Sequence, residues 1–397
     1  MNVLFVTMAW PKSGLHNMYT DLMDEFVEEK HSVCVATLSE KRNNIETNLS
    51  YENGVEVLRV KCGNIQKTNK YEKVISSFFG GYQLKHSVYR YFRDKRFDVI
   101  IFALPPLTIA LPLIQIKKHY KAKMYLLLKE FWPQDPADLG AMSVGGLVWK
   151  VFSFLEKKLY KNSDYVGTMS KAGITYIRQN SAADNCVVEE CPNSQKDTGL
   201  QPYSDVERKE IRERYHISDN EVVFIFGGNL GVSQGIPEMV KSIQLCEDVT
   251  DARFIIVGDG TEANVIKEGL KGQTNVTIID RLPQSEYEKL VFASEVGLVF
   301  LYPKYTVPNI PSRMVSYMMY GLPVIACVDH ATDAGKIIEE HQCGVSLYNG
   351  DIDGFRKAVI RLMNQKERQR FSMNSRALFE KKYTARVCYD IIVKHFI

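Results

Sequence analysis

Four stretches of this 397-residue chain gather glycine, amide and charged residues where an apolar run gives way to a helix-length segment. In FIFGGNLGVSQGIPEMVKSI (224–243) the run ends in Gly227 and Gly228. Asn229, Gln234 and Gly235 follow, and Pro237 suits a first helical turn. Glycines let backbone amides approach a ligand closely, and a helix N-terminus carries about half a positive charge. A diphosphate fits such a turn, although glycine-rich turns also serve structure alone. In YTVPNIPSRMVSYMMYGLPVIACV (305–328), Pro308 and Pro311 bracket a short loop containing Asn309, and Ser312 is expected to cap the next helix. Arg313 then falls in the first turn, where a cation opposes the helix dipole. Either an anion stands before it or a nearby carboxylate pairs with it.

Glu130 closes the run KMYLLLKE just before Phe131-Trp132-Pro133. A carboxylate at a strand's carboxyl end, beside a tryptophan, is placed to orient a hydroxyl. A salt bridge near Lys129 or to Arg178 is the plainer alternative, and Asp135 and Asp138 are neighbouring candidates. The loop WPKSGLHNMYTDL sets Gly14, His16 and Asn17 at the start of a helix. His16 is either an ordinary polar loop residue or a participant.

These loops need a sheet to hold them. Short β-branched runs alternate with amphipathic segments, the pattern of parallel sheets covered by helices. A first series is predicted at 2–8, 31–38, 55–60, 97–104, 123–130 and 164–170. A second follows at 221–228, 252–260, 276–281, 296–302, 322–328 and 343–348. The polar stretch 193–210 reads as the linker between the two halves. The residues of YMMYG (317–321) and VFSFLE (151–156) lie at helical spacing and are expected to be mostly core.

Composition bounds the rest. With 45% hydrophobic and 24% charged residues, the chain can build two large cores. Eight cysteines without CxxC or zinc-ligand spacing fit free thiols in a reducing compartment. The N-terminus has no basic leader region, and the longest apolar stretch (102–114) is too short to span a membrane. Charge is uneven. Residues 59–178 hold 21 Lys/Arg against 8 Asp/Glu, and residues 201–397 hold 24 against 26. Basic runs interleaved with aromatics (82–97, 117–120, 149–161) are either solvated helix faces or an attraction to an anionic membrane surface or phosphorylated acceptor. No nucleic-acid motif accompanies them, and no nucleic-acid partner is expected.

Taken together, GGNLGVSQG, PNIPSRMVSYMMYGLPVIA, KEFWPQDPADLG, LYKNSDYVGTMS and ECPNS resemble family 4 glycosyltransferases. Within that family they are most similar to bacterial N-acetylfucosaminyltransferase-like enzymes of capsule and O-antigen synthesis. The likeness runs from the strand at 2–8 and NMYTDLMDEF (17–26) to the last helix. It implies an α/β GT-B fold of two facing Rossmann-like domains. Residues 1–195 would bind acceptor, 196–380 the nucleotide-sugar, and a C-terminal helix at 381–397 would cross back to the N-terminal domain.

The implied activity is retaining transfer of a hexosyl or N-acetylhexosaminyl group from a UDP-linked donor to a polyprenyl-diphosphate-linked glycan. It needs no metal and no resident cofactor, and would take place in the cytoplasm or peripherally on the inner face of the plasma membrane. Donor contacts would fall to Gly227, Gly228, Asn229, Gln234 and Gly235 in the glycine loop, and to Arg281, Asn309, Ser312, Arg313 and Ser316 beyond it. Gly14, His16, Asn17 and Glu130 would meet the acceptor, with Glu130, His16 and Arg313 closest to the chemistry. Departures are plain. Family members often carry Arg and Lys in the glycine loop, where this chain has Asn229 and Gln234. They also carry two glutamates at positions held here by Pro308 and Ser316. Arg313 is therefore expected to replace the missing clamp, with Arg281 near the nucleotide. Two other readings remain: a sugar-nucleotide epimerase of the same fold, and a catalytically decayed transferase serving as a partner subunit.

Overall fold

Strands buried on both faces need near-continuous apolar runs, and VIIFAL (99–104) is buried at all six positions. The computed structural model describes all residues except Ala9, Ser13, Gln66, Lys67, Ser181, Ala182, Pro202 and Ile397. The chain divides into two compact units, Met1–Asn193 with Ala385–Ile397, and Ser194–Thr384.

The first unit holds strands β1 (Asn2–Thr7), β2 (Ser32–Glu40), β3 (Asn48–Glu52), β4 (Val55–Cys62), β5 (Val99–Leu104), β6 (Lys123–Leu128), β7 (Tyr165–Thr168) and β8 (Val187–Glu190). Their order is β3-β4-β2-β1-β5-β6-β7-β8, parallel except for the β3–β4 hairpin. Neither β3 nor β8 was expected from the sequence. β3 is a mostly exposed edge, NLSYE, and β8 has four residues with one buried, so neither carries an apolar run. The Ala385–Val393 helix belongs to this unit. It buries Tyr389 against Phe26 of the Met18–Glu28 helix, ring centres 4.8 Å apart, and the Tyr389 hydroxyl meets His31 Nε2 at 2.8 Å.

The second unit holds β9 (Val222–Asn229), β10 (Ala252–Asp259), β11 (Val276–Ile279), β12 (Val296–Phe300), β13 (Val324–Val328) and β14 (Gly344–Tyr348). All are parallel, in the order β11-β10-β9-β12-β13-β14. The expected linker is shorter than 193–210, because Asp205–Arg214 is a helix. Ser204 caps it, accepting from the Glu207 amide while the Glu207 carboxylate returns to the Ser204 amide.

Two further expectations change. Ser312 does not cap its helix: it is the first helical residue, and the cap position is Pro311, which has no side-chain donor or acceptor. The proline's fixed φ supplies the entry geometry instead. The aromatic stretch at 151–156 is only half core, since Val151 is 43% and Phe154 55% exposed. Tyr317, Met318 and Met319 are buried. All eight cysteines are free thiols.

Candidate functional site

Doubly wound sheets bind ligands at the carboxyl ends of their strands, where the strand order reverses. In the second unit that point lies between β9 and β12. A cleft of ≈ 450 Å³ opens at the ends of β9 and β10, lined by Gly228, Asn229, Gly258, Asp259, Arg281 and Tyr287 among others. Gly228 and Gly258 are register partners with φ of +128° and +149°, and a Cβ on Gly258 would stand 1.9 Å from the Gly228 carbonyl oxygen. Two bare backbones therefore form this wall, and only glycine fits at Gly258.

Arg313 reaches the same wall from the Ser312–Met319 helix. Its Nη2 lies 3.1 Å from where a Gly228 Cβ would be, and its guanidinium covers the Phe226 ring at 4.2 Å. Nη1 is shut off from solvent and has no hydrogen-bond partner. Burial lowers the Arg313 pKa, and the titratable groups that face it are the hydroxyls of Tyr317 and Tyr287, which burial keeps protonated and neutral. No carboxylate pairs with it among the described residues, so the salt-bridge alternative falls away. The cation is desolvated on a glycine wall with bonding capacity to spare, an arrangement that suits an anionic ligand.

Gly227 is required by its neighbour: a Cβ there would stand 2.2 Å from the Tyr287 hydroxyl. Arg281 lies exposed on the cleft rim. The other expected donor residues do not line this cleft. Gln234 Nε2 donates to Ser233 Oγ at 3.0 Å, and Gly235 adopts the left-handed conformation that starts the Ile236–Gln244 helix. The Asn309 carbonyl accepts from Thr332 Oγ1 at 2.6 Å. Ser316 Oγ accepts from Gln195 Nε2 at 2.7 Å, and Ser312 is exposed at its helix start. Phe226, Tyr287 and Tyr317, which enclose Arg313, were missed because their spacing reads as core. A larger hollow of ≈ 510 Å³ on this unit includes Arg208 and Arg368. Arg208 is spent on Glu295, and Arg368 on the carbonyls of Leu362 and Met363, so no cation is left for a ligand.

In the first unit Asn17 is a helix cap. Its Oδ1 accepts from the Tyr19 and Thr20 amides at 2.9 and 3.1 Å, and Thr20 Oγ1 receives the Asn17 amide. His16 is exposed, its Nδ1 3.6 Å from the buried Asp21 carboxylate. Gly14 is exposed, with φ of +88°. Glu130 Oε2 accepts from Trp132 Nε1 at 3.0 Å and has no ion pair among the described residues. The residue as a whole is exposed, yet its carboxyl is enclosed enough for desolvation to raise its pKa. Tyr19, two residues after the cap, feels the Glu130 charge, which brings the loop after β1 near the loop after β6. Asp135 is buried and accepts from the Phe131 amide, while Asp138 accepts from Gln134. Both stabilise the loop itself.

Residues 207–378 match the family of glycosyl transferases, group 1. That match lies within the C-terminal unit. The glycine loop, Arg281 and Arg313 all fall inside it. The chain is 23% identical over 256 residues to the probable glycosyltransferase WbjE of Pseudomonas aeruginosa, covering 64% of this chain and 62% of that protein. It is 23% identical over 248 residues to the putative colanic acid biosynthesis glycosyl transferase WcaI of Escherichia coli K12, covering 61% and 60%. The alignments thus span about three-fifths of these relatives' length. Among solved structures, Anabaena Alr3699/HepE in complex with UDP and glucose matches with a TM-score of 0.69 at 15% identity, over 100% of this chain and 99% of that one. The chain has the GT-B fold.

Proposed function

We propose that the chain is a retaining glycosyltransferase of polysaccharide assembly, moving a hexosyl or N-acetylhexosaminyl group from a UDP-linked donor to a lipid-diphosphate-linked glycan. The observation that carries this reading is the desolvated, unpaired Arg313 guanidinium on the Gly228 wall of the C-terminal unit. There it would take the diphosphate of the donor, with backbone amides of the glycine loop beside it. An acceptor hydroxyl oxygen bonds to the anomeric carbon as the bond from that carbon to the diphosphate oxygen breaks. The hydroxyl proton passes to the departing diphosphate on the same face of the sugar. Arg313 acts by stabilising negative charge that builds on the leaving group. Glu130 orients the acceptor hydroxyl, and His16 stands at the neighbouring helix start. UDP as the nucleotide is supported by the HepE complex. Polysaccharide assembly is supported by the name of the colanic acid relative, and a carrier-lipid acceptor at the inner membrane face by the basic character of residues 59–178.

Thermal unfolding against UDP-, dTDP-, GDP- and CMP-sugars and their diphosphates tests the donor assignment. A ligand at about 100 times its Kd stabilises by roughly 2.7 kcal/mol, a shift of several degrees. A shift with uridine compounds alone, followed by sugar transfer to a lipid-linked glycan, is expected. No shift with any nucleotide sinks the reading.

A further inference from the structure

The N-terminal unit carries an apolar ridge that its own core does not use. On the Lys70–Tyr91 helix the core face is Ser76, Gly80, Gly81, Leu84 and Val88. The opposite face presents Val74, Ile75, Phe79 and Tyr82, at 57%, 58%, 65% and 40% exposure. The Leu147–Asn162 helix does the same with Leu147, Val148, Val151 and Phe154, at 80%, 54%, 43% and 55%. Spacings of three and four residues align Ile75, Phe79 and Tyr82 along one stripe and Leu147, Val151 and Phe154 along the other, with Val74 and Val148 beside them. A surface helix ordinarily turns polar residues outward, and large apolar stripes mark interaction surfaces. Phe78 and Phe152 join the helices, stacked with centres 6.4 Å apart.

Cations flank the ridge. Lys150, Lys157, Lys158 and Lys161 are exposed on the second helix, and Lys73 on the first. Lys158 Nζ lies 5.5 Å from the Phe154 ring centre and Lys85 Nζ 5.4 Å from that of Tyr82, so their stems run along the rings. The one carboxylate of the second helix, Glu156, is buried on its other face. Glu72, on the first, is held by Thr68 and Asn64. Apolar stripes bordered by lysine are the composition of a helix lying in a lipid interface.

We propose that this ridge seats on an anionic lipid bilayer, its rings and aliphatic groups at the headgroup boundary and its lysines on lipid phosphates. Charge selects this occupant over a second copy of the chain, because a self-complementary interface would set lysine rim against lysine rim. Among the described residues no helix is long and apolar enough to cross a membrane, so the contact is interfacial. The ridge also adjoins the Glu130 loop: Phe152 packs on Trp132 with centres 5.2 Å apart, and Trp132 bonds Glu130. Delivery of a lipid-linked acceptor to Glu130 along this edge rests on the transferase reading, whereas the bilayer contact does not.

Vesicle flotation with the purified full chain and no substrate tests it. The protein should float with phosphatidylcholine–phosphatidylglycerol vesicles, stay behind with phosphatidylcholine alone, and release as salt is added. Lys150→Glu/Lys157→Glu/Lys158→Glu and, separately, Ile75→Ser/Phe79→Ser/Leu147→Ser/Phe154→Ser should each weaken partitioning at least about tenfold, with unfolding temperature kept. Failure of the parent protein to float with anionic vesicles would overturn the proposal. So would flotation of either variant equal to the parent's, or a dimer in sedimentation velocity that only the serine variant dissolves. Donor binding, read by thermal shift, is untouched by any of these outcomes.

Discussion

The Arg313 guanidinium stands 4.2 Å from the centre of the Phe226 ring, the last aromatic of β9 before its glycine pair. A cation over a ring face gains about 0.5–2 kcal/mol, less than the several kcal/mol it costs to strip a charge of water. Nη1 has no hydrogen-bond partner among the described residues, so the enclosure by itself does not offset that cost. On the proposed reading a diphosphate bound there would offset that cost, so the residue that weakens the folded unit would strengthen its complex.

Arg313→Ala should therefore act in opposite directions on stability and binding. Loss of a charge-assisted contact should cost roughly 1.5–3 kcal/mol of donor affinity, about 10- to 150-fold. The unliganded unfolding temperature should hold or rise. Calorimetric titration with a nucleotide diphosphate, alongside thermal unfolding of both proteins, reads the two effects. Donor affinity and turnover kept within about threefold would remove Arg313 from the site.

Strands with continuous apolar runs were legible in the sequence, and all six strands of the second unit lie where those runs lie. β3 and β8 were not, since edge strands short of apolar residues leave little periodic trace. The helix at Asp205–Arg214 was written in Ser204 and Glu207, a capping box inside a stretch whose polarity reads as linker. Arg313 could be singled out because a cation in a first turn breaks a local rule. Its aromatic enclosure could not, because Phe226, Tyr287 and Tyr317 come from three separate elements and meet only in the folded sheet. The half-exposed stretch 151–156 misled for a related reason: helical spacing shows that a stripe is apolar, not which side the core lies on.

Glu130→Gln should lower kcat for sugar transfer and leave donor affinity intact. Desolvation holds the Glu130 pKa above the usual carboxylate range. The acid limb of the parent protein's kcat profile should accordingly lie above that range, with activity gained as pH rises and the carboxyl ionises. In the glutamine variant that limb should vanish. A profile of unchanged shape in both proteins would take Glu130 out of the reaction.

Asn17 has a measurable role without substrate. As the cap of the Met18–Glu28 helix, its replacement by alanine should cost about 1 kcal/mol of stability, and Asn17→Asp should restore most of it. Urea unfolding measures both. If Asn17→Ala lowers acceptor affinity while Asn17→Asp retains it, the cap positions the loop and the amide does not touch the acceptor. Loss of acceptor affinity in both, with stability restored in the second, makes the Asn17 amide an acceptor contact.

Glu156 gives the fold a pH dependence of known sign. Its carboxyl is buried in the Leu147–Asn162 helix, and desolvation pushes its pKa up to about 8, with Tyr160 and Lys157 only partly opposing. In the unfolded chain it ionises near the ordinary glutamate value of about 4.3. Between those values the folded state holds a proton that the unfolded state has released, so stability falls as pH rises. Below the unfolded value the residue costs nothing, and above about 8 the loss is complete and the slope flattens. Glu156→Gln should remove this dependence. The variant should match the parent at acid pH and exceed it by a few kcal/mol, roughly 5 at most, at alkaline pH. Denaturant unfolding at a series of pH values measures the difference. Parallel curves would show that Glu156 has found water or a proton donor and carries its charge in the folded protein.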